Sequence, residues 1–503
     1  MKNLIEISRI VTKKKVKKIE IFDDYTLRHK NSKFNDFYNA LTSNKFKNDR
    51  DAAAALYGCS PQDAKYRQLK SRFRKRILNT LFFLDINKPS NSSYNRAYYS
   101  CNRDWTLVKI LLSNRAFHSA ASMAKQILTI ALKYRFSDII VNCSRLLRDY
   151  CSNNKMDKDY EIYDGYIKEF SEILNAEIRS EELYQRVIMD YHKTSSRVDG
   201  LMERINTYCN TLVSLSEQFD SPIIHYNMFL VWCMRFEIEK GYDAMLQVCT
   251  QAEQYIEDNP VYYQKEKLIT FYGKKMSAHL HMKDYKMGKI NAEKCLTRLP
   301  EGSESWFIFM EYYLLLAIHT ENYIHALAIF NRAISSSEFK KQDALIKEKW
   351  TIFEAYLKYI IDRQKFDPSM LQKAKRKVFR VSKFINNPLQ YPKEYRIFTI
   401  LSLILQVLFL IEQRNYTELE ERIERLKQYA DRKLKKDDYF RPIQFIRLLQ
   451  MLRKAKYQID ELGNTHKYYN RLLEQPFFYR GALTELEIIP YEKLWEIVLD
   501  SLR

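Results

Sequence analysis

The chain has 503 residues, 46% of them hydrophobic, with only 9 glycines and 11 prolines and a net charge of +21. That hydrophobic fraction suits a large core and excludes a disordered polyelectrolyte; the scarcity of Gly and Pro, with no proline between Pro89 and Pro222, excludes the turn-rich β folds. The eight cysteines form no CxxC pair and most sit in apolar stretches, so they predict small buried hydrophobes in a reducing compartment, not a disulfide framework.

The charge is uneven. Residues 1–104 hold 23 Lys+Arg against 10 Asp+Glu, a net +13, which leaves +8 for the remaining four fifths of the chain. A basic N-terminal module over 1–90 is therefore expected to precede a more balanced body, divided into a helical region over 91–220 and a repeat region over 221–503. The opening "MKNLIEISRIVTKKKVKKIEIF" has no apolar core of a secretory signal, which predicts a cytoplasmic protein. Within it "VKKIEIF" (16–22) alternates and is β-branched, predicting one short strand or hairpin.

The stretch "AAAALYGCSPQDAKYRQLKSRFRKRIL" (52–78) reads as a short alanine helix, a break at Gly58 and a second helix. Ser60 is placed to cap that helix, with Pro61 at its first position and Asp63 completing a capping box. Tyr66, Leu69, Phe73, Ile77 and Leu81 share one face and should dock it on its own module. Every other charge from 64 to 84 is basic: Lys65, Arg67, Lys70, Arg72, Arg74, Lys75 and Arg76. Solvated helix faces usually mix signs, because like charges one turn apart cost a few tenths of a kcal/mol each. These seven residues are thus the candidate nucleic-acid-binding set, with phosphate as the expected partner and the acidic 157–185 segment of the same chain as the competing one.

The stretch also resembles a helix-turn-helix motif, on the strength of Ala54 standing four residues before Gly58 and a capped helix following. The resemblance implies that the second helix would read DNA; Arg67 stands nine residues past the glycine, where that family has an apolar residue.

Residues 85–104 are polar and lack a helical period, and a domain boundary is expected there. From Trp105 onward one helix follows another. Residues 157–185 carry 9 acids against 3 bases, an acidic helical segment in a basic protein. Farther on, a unit recurs: an apolar helix, a two- or three-residue polar break, an aromatic, then apolar or small residues 3, 7 and 10 positions later. The clearest copy is Tyr323, Ala326, Phe330, Ala333; others are Tyr285, Gly288, Ala292, Cys295, then Tyr242, Met245, Cys249, Ala252, and Tyr416, Leu419, Ile423, Leu426. A further pair, without the tyrosine, is expected to end in a helix over 367–384. Phe117, Ala120, Ala124, Ile127 and Phe136, Ile139, Cys143, Leu146 suggest that stacking begins earlier. Small residues at these positions let paired helices approach closely.

Over roughly 221–430 the pattern resembles the tetratricopeptide repeat (TPR), although Tyr242, Tyr285 and Tyr323 are 43 and 38 residues apart against 34 in that family. The resemblance implies an all-α, TPR-like helical-hairpin solenoid that binds a protein or peptide partner in its groove. Tyr242, Tyr285, Tyr323, Ala326, Phe330, Ala333 and Tyr416 would be its packing residues. The longest apolar run, 397–411, has 15 residues with Thr, Ser and Gln inside, short for a bilayer, so a core helix and no membrane association are expected.

No phosphate-binding, dinucleotide, zinc-protease or nucleophile-elbow string occurs. His279 and His281 are two residues apart and point to different sides of a helix, so they cannot share a metal. Arg186 and His192 in "RVIMDYH" resemble the R-x(4–6)-H spacing of HEPN-like ribonucleases, an enzyme alternative. The reading that follows is a non-enzymatic helical-repeat scaffold with no cofactor and no metal, binding a protein or peptide and contacting nucleic acid through its basic helix. A helix-turn-helix/TPR-type transcription regulator is the second reading.

Overall fold

The computed structural model describes residues 32–43, 45–46, 48–80, 93–191, 200–262, 265–364, 381, 384, 391, 395–434, 439–463 and 466–503. Among them every long element is an α-helix, with two single 3-10 turns and no strand. The strand expected over 16–22 lies outside the described residues, as does almost all of the helix expected over 367–384. The chain divides into two compact units, Met1–Ser171 and Glu172–Arg503.

The first unit begins with a three-helix module: α1 (Lys33–Thr42), α2 (Asp49–Tyr57) and α3 (Ala64–Thr80). Phe37 and Phe73, with ring centres 4.7 Å apart, form the middle of its core, and Tyr66, Leu69 and Ile77 seal it, so four of the five residues of the predicted docking face are buried and the fifth, Leu81, lies outside the described residues. Gly58 closes α2 in the left-handed conformation that L side chains avoid. The helix starts later than predicted. Ser60 accepts from the Gln62 N–H in a turn, and the cap is Asp63, whose carboxylate accepts the Lys65 N–H at 2.9 Å. Asp63 outcompetes the serine because its charge also favours a helix N-terminus.

Next come α4 (Ser93–Ser113), α5 (Phe117–Tyr134), α6 (Ser137–Asn153) and α7 (Asp157–Tyr191), whose second half belongs to the second unit. Part of the polar stretch expected to lack helical period, 93–104, is the first half of α4. Its signal was a 4-3-4-3 spacing of Tyr94, Tyr98, Cys101, Trp105 and Val108; Tyr94 and Tyr98 each meet the Phe136 ring at 5.0 Å.

The second unit continues with α8 (Leu201–Gln218), α9 (Pro222–Glu239), α10 (Tyr242–Asp258), α11 (Lys265–Met282), α12 (Tyr285–Leu296), α13 (Glu304–His319), α14 (Tyr323–Ser335) and α15 (Ala344–Gln364). It ends with α16 (Arg396–Glu412), α17 (Tyr416–Lys433), α18 (Phe440–Lys454), α19 (His466–Glu474) and α20 (Tyr491–Leu502). From α8 to α20 consecutive helices pack on one another, and alternate ones also touch, α9 with α11 and α11 with α13, which is the neighbour pattern of stacked helical repeats. In the four tyrosine copies the residues 3, 7 and 10 places after the aromatic are buried, Ala326 and Ala333 completely. The earlier copies deviate at single positions: Phe117 is exposed, and Leu147, not Leu146, turns inward.

The repeats share one turn. Arg115, Arg135, Lys155, Lys240, Lys283, Glu321, Arg414 and Lys456 all adopt φ between 47° and 60°. At each, the N–H of the following residue bonds the carbonyl five residues back, as Asp284 does to His279 at 3.0 Å and Asn322 to Ala317 at 2.8 Å. This is the Schellman closure of a helix, usually built on glycine. Here all but Glu321 are Lys or Arg, whose positive charge complements the helix C-terminus and offsets part of the left-handed strain. Repetition is thus written in backbone geometry where the side-chain pattern is weak.

The 15-residue apolar run is the body of α16 and is buried on all sides. No helix among the described residues is long and apolar enough to cross a membrane.

Candidate functional site

On α3 the seven basic residues fall into two groups. Lys65, Arg67, Arg72, Arg74 and Lys75 are exposed, and among the described residues none of them has an ion-pair partner. Lys70 and Arg76 are half-buried and engaged within the module. Lys70 donates to Asp49 at 2.7 Å, where the Tyr66 hydroxyl also donates at 2.7 Å, and Arg76 lies over the Phe34 ring at 5.0 Å. Burial opposes the Asp49 charge, but the bonds from Lys70 and Tyr66 outweigh it and hold its pKa below the ordinary range. Of the three bases at 7- and 11-residue separation, Lys65 and Arg72 therefore stay on the exposed face and Arg76 turns onto an aromatic ring.

At 100° per residue, Lys65 and Arg72 border one side of the exposed face and Arg67 and Arg74 the other. Between the borders run Gln68, Ser71 and Lys75, all exposed. The acidic segment shows other partners: Asp159 pairs with Lys125 at 3.6 Å and Asp164 with Arg148 at 2.6 Å. The module also departs from helix-turn-helix packing. Ala54 is exposed, Ala52 and Ala53 are buried instead, and six residues, 58–63, separate α2 from α3.

The second candidate site lies on α11 and α13, and sequence reasoning missed what covers it. Residues 475–490, between α19 and α20, cross both helices as irregular chain with one 3-10 turn, Leu483–Glu485, and bends at 475, 480–481 and 488–489. The Tyr479 N–H donates to His281 Nε2 at 2.9 Å, and its hydroxyl donates to Glu311 at 2.6 Å. Phe477 lies against the rings of His281 and His319, at 5.6 and 4.5 Å. Arg480 donates to the Tyr191 carbonyl at 2.7 Å and sits over its ring at 4.6 Å. Farther on, His319 Nε2 donates to the Glu487 carbonyl at 2.9 Å, and Glu487 and Glu492 both pair with Arg441.

His281 is neutral by geometry. His281 Nδ1 faces the Ser277 carbonyl at 2.6 Å and must carry the proton, which leaves Nε2 as the acceptor that Tyr479 uses. Burial lowers the pKa of His281 and takes that of His319 down to about 3. Two cavities, of 420 and 460 Å³, flank the segment: the first between Tyr191, Arg441, Phe478 and Arg480, the second between His281, His319, Phe477 and Lys493. No short sequence motif signals this arrangement, since its partners lie 168 to 289 residues apart.

The aromatics of the repeat copies occupy different settings. Tyr323 and Phe330 are buried, Tyr242 stacks on His281 at 4.8 Å, and the Tyr285 hydroxyl bonds His325 Nδ1. Tyr416 is 41% exposed and stacks on Tyr457 at 5.0 Å. Arg186 is exposed and pairs with Glu182 at 2.6 Å, while His192 lies outside the described residues. His279 faces Asn291 and His281 faces the 475–490 segment, so the two do diverge; no metal-binding group of side chains occurs among the described residues. All eight cysteines are free and all but Cys59 are buried. No protein-family model, curated protein or solved structure matches the chain.

Proposed function

We propose that the chain is a non-enzymatic, cytoplasmic helical-repeat scaffold that contacts nucleic-acid phosphates through α3 and holds a protein or peptide on its repeat array. The observation that carries the first half is the set of five exposed bases, Lys65, Arg67, Arg72, Arg74 and Lys75, without ion-pair partners among the described residues, on a helix whose other face is locked into a core. A rigid row of cations is what a polyanion requires, because ordering it costs little on binding and neutralising phosphates releases counterions. The stacking of α9, α11 and α13 supports the second half. The test is duplex DNA binding by fluorescence anisotropy from 50 to 300 mM salt. Five phosphate contacts give a slope of log K on log[salt] of about −4.5. A slope near zero, or no binding at 50 mM, would refute the reading.

A transcription-regulator reading gains support from one observation. Gln68, Ser71 and Lys75 form a polar ridge between the two basic borders of α3, and Gln and Lys are side chains that bond adenine and guanine edges. That reading requires one sequence to be preferred over random duplex by 10³ or more at physiological salt. Equal affinity for all sequences would leave only the phosphate-binding role.

A further inference from the structure

Residues 475–490 are of two kinds. From Leu486 to Ile489 every side chain is buried, and α20 behind them contributes Tyr491, Leu494 and Trp495 to the core, so this part is a permanent wall. Residues 476–485 differ. Pro476, Gly481 and Ala482 are exposed, Phe477, Phe478 and Arg480 are half-buried, and cavities of 420 and 460 Å³ open on either side. What holds this tip is a set of side chains on separate helices, each meeting one feature of the crossing chain, of which 476–479 is free of bends and turns. His281 takes a backbone N–H, Glu311 a tyrosine hydroxyl, the Tyr191 carbonyl and ring an arginine, and His281 with His319 a phenylalanine ring. Gly481, at φ 93°, passes where a Cβ would stand 3.2 Å from the Tyr312 hydroxyl, so the surface also selects a glycine.

We propose that 476–485 is a built-in occupant of a peptide-binding groove on α11 and α13, and that the groove's partner is an extended peptide of matching pattern, Phe-Phe-Tyr-Arg-Gly or close to it, which displaces the tip while 486–502 stays in place. The proposal rests on the partner-binding role given to the repeat array, and it adds both the chemistry of the partner and its regulation. Because the tip is tethered, a free peptide reaches the groove only in the fraction of molecules whose tip is open, and its apparent affinity falls by that fraction.

The probe is a fluorescein-labelled synthetic peptide of residues 475–486, QPFFYRGALTEL, titrated into the full-length protein. A Phe477→Ala/Tyr479→Ala variant, with helix content checked by circular dichroism, should bind it at least roughly tenfold more tightly than the unmodified protein does. A peptide carrying Tyr479→Ala should fail to compete. Absence of binding to a folded variant overturns the proposal. Should the variant not fold, amide exchange of the unmodified protein decides: peptide at millimolar concentration must accelerate exchange in 476–485 and leave 486–502 unchanged, and unaltered exchange in the tip refutes displacement. Duplex binding through α3 is read in the same samples, and a second titration replaces the peptide by purified candidate partners. Loss of peptide binding with a partner still bound removes the groove and leaves the scaffold reading standing.

Discussion

The backbone N–H of Tyr479 donates to Nε2 of His281 at 2.9 Å, joining α11 to a segment 198 residues away. The bond exists only while the imidazole is neutral, because a protonated Nε2 becomes a donor facing a donor. His319, one repeat later, uses the same nitrogen in the opposite sense, its Nε2 donating to the Glu487 carbonyl, and its Nδ1 is buried without a hydrogen-bond partner among the described residues.

Acid should loosen this region first. Both folded-state values lie below the ordinary histidine value of about 6.5, so the unfolded or opened state binds more protons in acid. Stability is therefore complete above about pH 6.5 and declines as pH falls from there towards 3. Lys240, Lys274, Lys283 and Arg441 around the pair disfavour a further positive charge, against Glu237 beside His281. At pH 5 the His319 contribution to the loss is about 2 kcal/mol, from 1.36 kcal/mol per unit below 6.5. Denaturant midpoints at pH 7.5 and 5 measure it, and His319→Gln, which keeps a donor for Glu487, should shrink the difference. A pH-independent midpoint would refute the assignment.

Gly288 tests the close approach of paired helices. A Cβ there would overlap the Leu316 side chain and stand 3.0 Å from the Cβ of His279, so α12 would have to move off both α11 and α13. Gly288→Ala should therefore destabilise the protein by about 1–3 kcal/mol, although alanine has the better helix propensity. A raised melting temperature would show that the contact relaxes without cost.

How far the sequence could be read depended on range. Spacing within a helix was legible: the apolar stripe of α3, the small residues at Ala326 and Ala333 and the burial of seven cysteines follow from local period alone. Competition between neighbours was not, since Ser60 and Asp63 are both good caps and which of them the helix uses shows only in the bonds each one makes. Charge was legible in sign but not in engagement. Lys70 and Arg76 read like the other five bases, yet Asp49 and Phe34, brought back by the turn of the module, remove them from the free face. The 475–490 segment was illegible, because Tyr479 has no local feature that points to His281 or Glu311.

The shared turn offers a simple gain. Lys155 is exposed, with φ 56°, in a position where glycine carries no Cβ penalty. Lys155→Gly should stabilise the first unit by about 0.5–1 kcal/mol, net of the extra freedom glycine gives the unfolded chain, and Lys155→Val should destabilise it by a similar amount or more. Thermal melts of both variants check the order, and a valine variant as stable as the glycine one would contradict the strain argument.

The two groups of bases on α3 should separate in one experiment. Lys65, Arg72 and Lys75 are exposed and lie outside the core, so replacing all three by Ala should leave the melting temperature within about 0.5 kcal/mol of unfolding free energy. It should reduce the magnitude of the salt slope for duplex binding by about 2.7, three contacts at 0.9 each. Lys70→Ala should do the reverse. Its ammonium neutralises Asp49 at 2.7 Å, where Tyr66 also donates, so its loss leaves a half-buried carboxylate with one donor fewer and costs about 1 kcal/mol of stability. The salt slope of that variant should stay within about 0.5 of the parent value, because a lysine already paired within the module releases little counterion on binding. If Lys70→Ala flattens the slope as much per residue as the triple variant does, the division into free and engaged bases is wrong, and α3 turns a different face to its partner.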